Sequence, residues 1–375
     1  QGVDQEGCLP KTAWPPTLYA VIMRFDSLRE IMSSLQAESR KLCHLGIRLM
    51  PSRSTLSDAN RRRPEIIFES IYRDLYTTYR NILSSDSRKN RDKVWMKRLQ
   101  IIDSTTITLF SNLLFKGVGR HPKTGKKKGG IKVHTVIHAN EGVPSDIKFT
   151  SAATNDSFML RPSVMNKGDI IAMDRAYIDY EKLETLTQRE VMYVTKMKKN
   201  LKYNIIEDCM YQNDKGFMEV RIQNVTFSKM LKDGTILIHH ARIITYVDIK
   251  KHKLVSLLTN DMESDPNEII GIYHKRWEIE LLFKQIKQNF PLKYFYGESA
   301  NAIKIQIWVT LIANLLLMVM KKKLTRSWSF SGLATMMRIT LMYYVDFYSL
   351  FNHPEKDWET LLDVRQKEDC QLSIF

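Results

Sequence analysis

The chain has 375 residues, with 57 lysines and arginines against 41 aspartates and glutamates, a formal net charge of +16. That length allows two or three structural units, and that charge points to a polyanionic partner, nucleic acid first and an anionic membrane surface second. The four cysteines (Cys8, Cys43, Cys209, Cys370) and nine dispersed histidines exclude a C-x-x-C knuckle, a compact disulfide framework and an H-E-x-x-H zinc site. They fit free thiols in a reducing cytoplasm. No signal peptide is read, and the start at Gln1 leads us to expect a true start upstream.

Residues 1–86 read as a helical module. Leu28, Ile31, Met32 and Leu35 recur at helical spacing, as do Ile66, Ile67, Ser70 and Ile71. Between them, Ser52 or Ser54 is placed to cap a short helix that ends near Arg61, Arg62 and Arg63. Two readings of that cluster stay open. It is either a basic helix for docking on DNA, or a solvated helix whose cations favour its C-terminal dipole end.

From residue 87 to 195 the pattern becomes α/β. Leu99 to Phe110 is rich in β-branched residues, and Ile131 to His138 and Ile147 to Thr150 are shorter strand candidates. The apolar run from Asp169 leads into Asp174, a helical piece spans Tyr180 to Gln188, and a strand follows from Val191 to Thr195. Strands alternating with helices predict a mixed sheet. Between Lys116 and Lys132 there are seven Lys/Arg, no acid, and glycines at 117, 119, 125, 129 and 130. This reads as a basic loop suited to a phosphate backbone.

Residues 196–265 alternate apolar and polar residues, most cleanly from Phe217 to Thr226, with further strand character at Thr235 to Val247 and Leu254 to Thr259. Turn signals stand at Asn213 to Gly216 and at Asp233-Gly234. We read this as a β-rich insertion standing apart from the sheet. Next, Asp265 caps a helix with Pro266 in its first position and Glu268 completing a capping box, running through Gln288 and stopping near Pro291. At about 100° per residue, Tyr273, Arg276, Glu280 and Lys287 fall in a stripe roughly 60° wide. Ile272, Ile279, Leu282, Phe283 and Ile286 take the neighbouring, core-facing arc. The apolar stretch Ile305 to Met320 contains Gln306 and Asn314 and is shorter than the roughly 20 residues that span a bilayer, so a buried helix is expected. The last part of the core runs over 266–345, and 346–375 reads as a tail.

Asp103 and Asp174 each end the apolar part of a candidate strand, and Glu280 faces from a helix. Carboxylates so arranged can hold two Mg²⁺ ions, because Mg²⁺ takes oxygen ligands and keeps waters for exchange. Two such ions activate an attacking oxygen and stabilise the leaving one in phosphodiester displacement.

The spacing Tyr273-x-x-Arg276-x-x-x-Glu280-x-x-x-x-x-x-Lys287 resembles the YREK signature of the DDE transposases in the group named after insertion sequence four. Asp174-Arg-Ala-Tyr177 resembles that group's second-aspartate motif and Ile102-Asp103-Ser-Thr its first, and the similarity runs from about Ser27 to Lys323. The resemblance implies an α/β fold with an RNase H-like catalytic core, a β-rich insertion and a helical N-terminal module. It implies Asp103, Asp174 and Glu280 as metal-holding catalytic acids, Mg²⁺ or Mn²⁺ as cofactor, and Tyr273, Arg276 and Lys287 as contacts to phosphates near the cleaved end. It implies a homodimer pairing two transposon ends on double-stranded DNA, in a bacterial cytoplasm near the nucleoid, with no membrane partner. The insertion lacks a Trp to stack a flipped base; Tyr203, Tyr211, Phe217, Phe227 or Tyr246 are the substitutes open to it. The competing readings are a purely hydrolytic nuclease of the same fold and a non-catalytic DNA-binding relative. The three acids argue against the second, since binding DNA needs no carboxylates beside a polyanion, and joined DNA product separates a transposase from the first.

Overall fold

Short polar side chains placed ahead of apolar periodic runs start the helices. Ser27, Ser52, Ser299 and Ser329 each accept a backbone N–H from three residues ahead, meeting one of the donors that a helix start leaves open. The computed structural model describes residues 14–47, 49–84, 94–108, 130–152, 154–212, 219–248 and 252–356. Most of the basic, Gly-rich stretch between Lys116 and Lys132, the turn signal at Asn213 to Gly216, Phe217, Cys8, Cys370 and the tail from residue 357 lie outside the described residues. The helices are α1 (Trp14–Met23), α2 (Leu28–Ala37), α3 (Arg53–Arg62), α4 (Ile66–Leu83), α5 (Tyr180–Gln188), α6 (Pro266–Lys275), α7 (Trp277–Asn289), α8 (Ala300–Lys323), α9 (Phe330–Thr340) and α10 (Phe347–Asn352). The strands are β1 (Leu99–Thr108), β2 (Gly130–His138), β3 (Pro144–Ser151), β4 (Ile170–Met173), β5 (Met192–Lys196), β6 (Asn204–Gln212), β7 (Glu219–Met230), β8 (Ile236–Asp248) and β9 (Lys253–Thr259).

The chain divides into two units, Gln1–Leu83 with Gln285–Phe375, and Ser84–Lys284. The first is helical and centres on α8. That helix is long and apolar enough to cross a membrane, yet 78% of its most apolar stretch is buried inside the protein. Gln306 in it is matched by folding: its amide donates to the carbonyls of Pro291 (2.9 Å) and Tyr294 (2.7 Å) and accepts from the Tyr296 N–H (2.9 Å). Asn314 accepts from Gln285 at 2.8 Å. A buried helix is what the interrupted apolar run leads one to expect, and that is what forms. The α4 helix packs on it through Tyr72 and Trp308, ring centroids 5.6 Å apart. Asn301 at its start donates to the carbonyls of Asn60 (3.0 Å) and Arg63 (2.6 Å) and accepts from the Glu65 N–H (3.1 Å). One side chain thereby closes the end of α3 and fixes the turn into α4.

The second unit carries one sheet of nine strands in the order β3-β2-β1-β4-β5-β9-β8-β7-β6. Strands β1, β4 and β5 run parallel and the remaining pairs are antiparallel. Leu99, Ile101 and Ile102 of β1 and all four residues of β4 are buried, the apolar run expected of strands covered on both faces. The expectation that residues 196–265 stand apart from the sheet is corrected. Thr259, Leu258 and Leu257 of β9 pair with Val194, Thr195 and Lys196 of β5, so the later strands continue the sheet edge. Sequence alternation specifies a half-buried strand but not its neighbour, and β5 had an open edge to pair. A buried polar seam reinforces this continuation: His239 of β8 bonds Tyr193 of β5 (2.7 Å) and Glu184 of α5 (2.8 Å).

Candidate active site

The two candidate aspartates follow from strand register. The parallel pairing of β1 with β4 begins at Leu99↔Ile170 and ends at Ile102↔Met173. Asp103 and Asp174 are the next residue on each strand, so they stand side by side just past the last pair, at the spacing of adjacent strands. The carboxyl ends of parallel strands are where α/β sheets open a crevice. Asp174 leaves the strand at once; its Oδ1 accepts the Ala176 N–H (3.0 Å) and caps the short turn Arg175–Tyr177. Asp103 stays in β1, where its Oδ1 accepts the N–H of Ser104 at 2.7 Å.

The third acid comes from the helix region after β9. Asp265 caps α6 by accepting the Asn267 N–H (2.6 Å), with Pro266 in the first turn, as its sequence signals. A single helix through Gln288 is corrected to two: α6 ends at Lys275 and α7 begins at Trp277. At the joint, Arg276 N–H bonds back to the Tyr273 carbonyl (3.1 Å) and the Arg276 carbonyl accepts from Ile279 (3.4 Å), i→i+3 bonds that tighten the turn. The periodicity carries straight across this residue, which is why the pattern hides the break.

Arg276 itself is buried and binds two of the acids. Its Nη2 donates to Glu280 Oε1 at 2.6 Å and its Nη1 to Asp103 Oδ2 at 3.4 Å. Its guanidinium lies 5.6 Å from the Tyr273 ring centroid and 5.7 Å from that of Trp277. Burial works against the Arg276 charge, but the bond to Glu280 and the fields of Tyr273, Glu280 and Asp103 outweigh it and raise the pKa. Asp103 is held up at about 6, first by burial and further by the charges of Asp174 and Glu280, against the Ser104 N–H and Arg276. Thus Asp103, Asp174, Tyr273, Arg276 and Glu280 come together, with more acid than Arg276 alone offsets. Among the described residues no three acids close around a point at ion-ligating distance. The donor set is nevertheless the hard-oxygen kind that suits Mg²⁺, and an added cation favours the ionised form of Asp103 that burial, and then the neighbouring acids, disfavour.

Beside Asp174 and Arg276 opens a cavity of about 500 Å³ whose walls include Arg175, Lys196, Lys253, His274, Tyr246 and Trp277. None of the lysines there was singled out in the sequence, since Lys196 and Lys253 come from strands that only sheet pairing brings near Asp174. A fourth acid, Asp156, also escaped notice; it accepts from the Ser104 hydroxyl at 2.6 Å. Nothing in the local sequence Thr154-Asn155-Asp156-Ser157 signals it.

The remaining sequence candidates belong to the helical unit. Lys287 is exposed, seven residues beyond Glu280 on α7. Arg61 and Arg62 are exposed in the last turn of α3, and both reach Asp58, at 3.1 and 3.7 Å. Arg63 is the residue that ends α3, and burial lowers its pKa.

Two acids just past the last β1–β4 pair, a helix-borne acid and a buried arginine thus converge on one part of the sheet unit. Residues 95–316 match the family described as the transposase DDE domain, and residues 16–48 match a domain of unknown function. The chain belongs to the DDE transposase family, whose members are metal-dependent enzymes of DNA cleavage and transfer. It is 27% identical over 271 residues to a protein named as a transposase from Sinorhizobium fredii, covering 72% of each chain. It is 25% identical over 269 residues to one named as a transposase for insertion sequence element IS4SA from Synechocystis, covering 70% of each. A protein named as a transposase for insertion sequence element IS5377 from Geobacillus stearothermophilus is 24% identical over 237 residues, 63% of this chain and 60% of that one. DNA transposition is therefore the activity to be explained.

Proposed function

We propose that Asp103, Asp174 and Glu280 are the catalytic acids and hold two divalent ions, Mg²⁺ or Mn²⁺, in an RNase H-like core. In this reading the enzyme cuts an insertion sequence at its ends and transfers the freed 3′-hydroxyls to target DNA. The observation that carries it is the register of β1 and β4, which makes Asp103 and Asp174 neighbours, with Glu280 linked to Asp103 through Arg276. Bound ions would supply Lewis acidity to the attacking and leaving oxygens. The chain's own part is to aim and neutralise. Tyr273 and Arg276, and Lys287 further along α7, offer donors to the phosphates at the cleaved end, and Arg276 is oriented by two carboxylates before any DNA arrives. Arg61, Arg62 and Arg63 are assigned to backbone contacts by the N-terminal helices. The YREK spacing supports membership of the group named after insertion sequence four, and with it a homodimer that pairs two ends.

The test is cleavage and binding of end DNA by wild type, Asp174→Asn and Glu280→Gln, with Mg²⁺ and with chelator. An amide oxygen binds Mg²⁺ poorly, and each ion stabilises the transferring phosphate by several kcal/mol, so cleavage should fall by orders of magnitude. Binding should hold or rise, because a carboxylate facing a polyanion repels it. Cleavage that survives chelation, or amide variants that cut normally, would remove the assignment.

A further inference from the structure

The parallel pairing of β1 with β4 ends at Ile102↔Met173, one residue before Asp103, while β1 continues to Thr108. The N–H of Ser104 is taken up by the carboxylate of Asp103 at 2.7 Å. Successive strand residues point to opposite faces, so Ser104 projects behind the sheet from Asp103. There its hydroxyl donates to Asp156 Oδ1 at 2.6 Å. The same oxygen accepts from Lys132 Nζ at 3.1 Å, and that ammonium also donates to the Thr154 carbonyl at 2.7 Å. Lys132 and His134 lie on β2 opposite Thr106 and Ser104, so the contacts on this face bind β1 to β2 and to the turn Asp156–Met159.

We propose that Asp156 is a positioning residue for Asp103: it anchors Ser104 from behind the sheet, with Lys132 as its counter-charge, and so fixes the carboxylate that faces the divalent ions. The inference rests on the reading of Asp103 as a metal-holding acid. Asp156 does not reach the reacting atoms; it acts through one hydroxyl and one peptide N–H. Groups that orient a ligand in this way change metal affinity or activity by about 10- to 100-fold when removed.

The experiment measures Mg²⁺ dependence of end-DNA nicking, Mn²⁺ binding by calorimetry without DNA, and DNA affinity, for wild type and for Asp156→Ala, Ser104→Ala, Ser104→Thr and Asp103→Asn. Asp156→Ala and Ser104→Ala should each raise the Mg²⁺ needed for half-maximal nicking by about tenfold or more and weaken Mn²⁺ binding to match. DNA affinity should not move, and Ser104→Thr, which keeps the hydroxyl, should restore the wild-type curve. A double variant carrying Ser104→Ala and Asp156→Ala should be no worse than the worse single one, because both act along one path. Wild-type metal curves in both single variants, or penalties that multiply, would overturn the proposal. If Asp156→Ala does not fold, Ser104→Ala decides alone, since it leaves the Asp156–Lys132 pair intact. Should Asp103→Asn abolish Mn²⁺ binding while the Ser104 and Asp156 changes do nothing, only this inference falls. Should Asp103→Asn itself bind Mn²⁺ and nick normally, the assignment of Asp103 falls first.

Discussion

Two polar clusters interrupt the apolar interior of the sheet unit, and they are built to opposite specifications. At the seam of β5, β8 and α5, His239 is completely buried and both ring nitrogens are bonded, one to Tyr193 and one to Glu184. Past the last pair of β1 and β4, Arg276 binds Asp103 and Glu280 beside Asp174, and burial, with the charges of Asp174 and Glu280 added to it, holds Asp103 at a pKa of about 6. The first cluster is closed: its hydrogen bonds are matched internally and need nothing from outside. The second is left short of positive charge in a chain that carries +16 overall. An interior network that satisfies itself stabilises a fold; one that leaves a deficit on an open crevice is set up for a ligand.

The sharpest way to break this contrast is to delete the shared cation. Arg276→Ala should leave Asp103 and Glu280 without the donor they share and lower single-turnover cleavage by about 10² to 10³, the usual cost of losing one transition-state donor. Arg276→Lys should recover only part of this, because an ammonium cannot span two carboxylates as a planar fork does. If Arg276→Ala cleaves like wild type, the open cluster is a structural ion pair.

The closed cluster should answer in stability. Tyr193→Phe and His239→Ala leave buried partners unmatched, so each should lower the unfolding free energy by about 1–3 kcal/mol in urea titrations. Cleavage per folded molecule should be unchanged. A His239 variant of wild-type stability but reduced turnover would erase the distinction drawn between the two sites.

Acid sharpens the comparison further. Burial pushes the His239 pKa below the ordinary value near 6.5, against the pull of Glu184. The unfolded chain therefore takes up a proton that the folded chain resists. The stability associated with a neutral His239 is complete above pH 6.5 or so and is lost as the pH falls below it. His239→Gln should give a flatter stability curve from neutral to acid pH than wild type, measured by urea midpoints. An identical slope would assign acid sensitivity elsewhere, His134 being the next buried candidate.

The smallest effect expected is at Lys287. As an exposed phosphate contact, Lys287→Ala should reduce the salt slope of end-DNA binding by about one unit. No change in slope would leave Lys287 outside the DNA path.

These contrasts show what the sequence made legible. The cap at Asp265 and Pro266, the burial of the α8 apolar run, and the place of Asp103 and Asp174 at the close of two apolar runs could all be read from local pattern, because each depends on residues close in the chain. What stayed hidden depends on pairing at a distance. Asp156 has its meaning from Ser104 and Lys132, 52 and 24 residues away. The continuation of the sheet needed β9 to find β5, and no alternation of side chains names a partner strand. The break at Arg276 was masked for a different reason: a one-residue tightening barely disturbs a helical wheel.

The Asn301 clasp has a consequence in time. Glu65 and Asn301 are 236 positions apart, and the side chain that closes α3 and sets the turn into α4 sits on the later one. At about 5–20 residues per second of synthesis, the N-terminal helices leave the ribosome roughly 10–50 s before their clasp is made. Through that interval α4 lacks α8 to cover Tyr72, and the arginines at the end of α3 lack the carbonyl bonds that hold their backbone. A nascent chain is thus without its finished α3–α4 turn until Asn301 has been made.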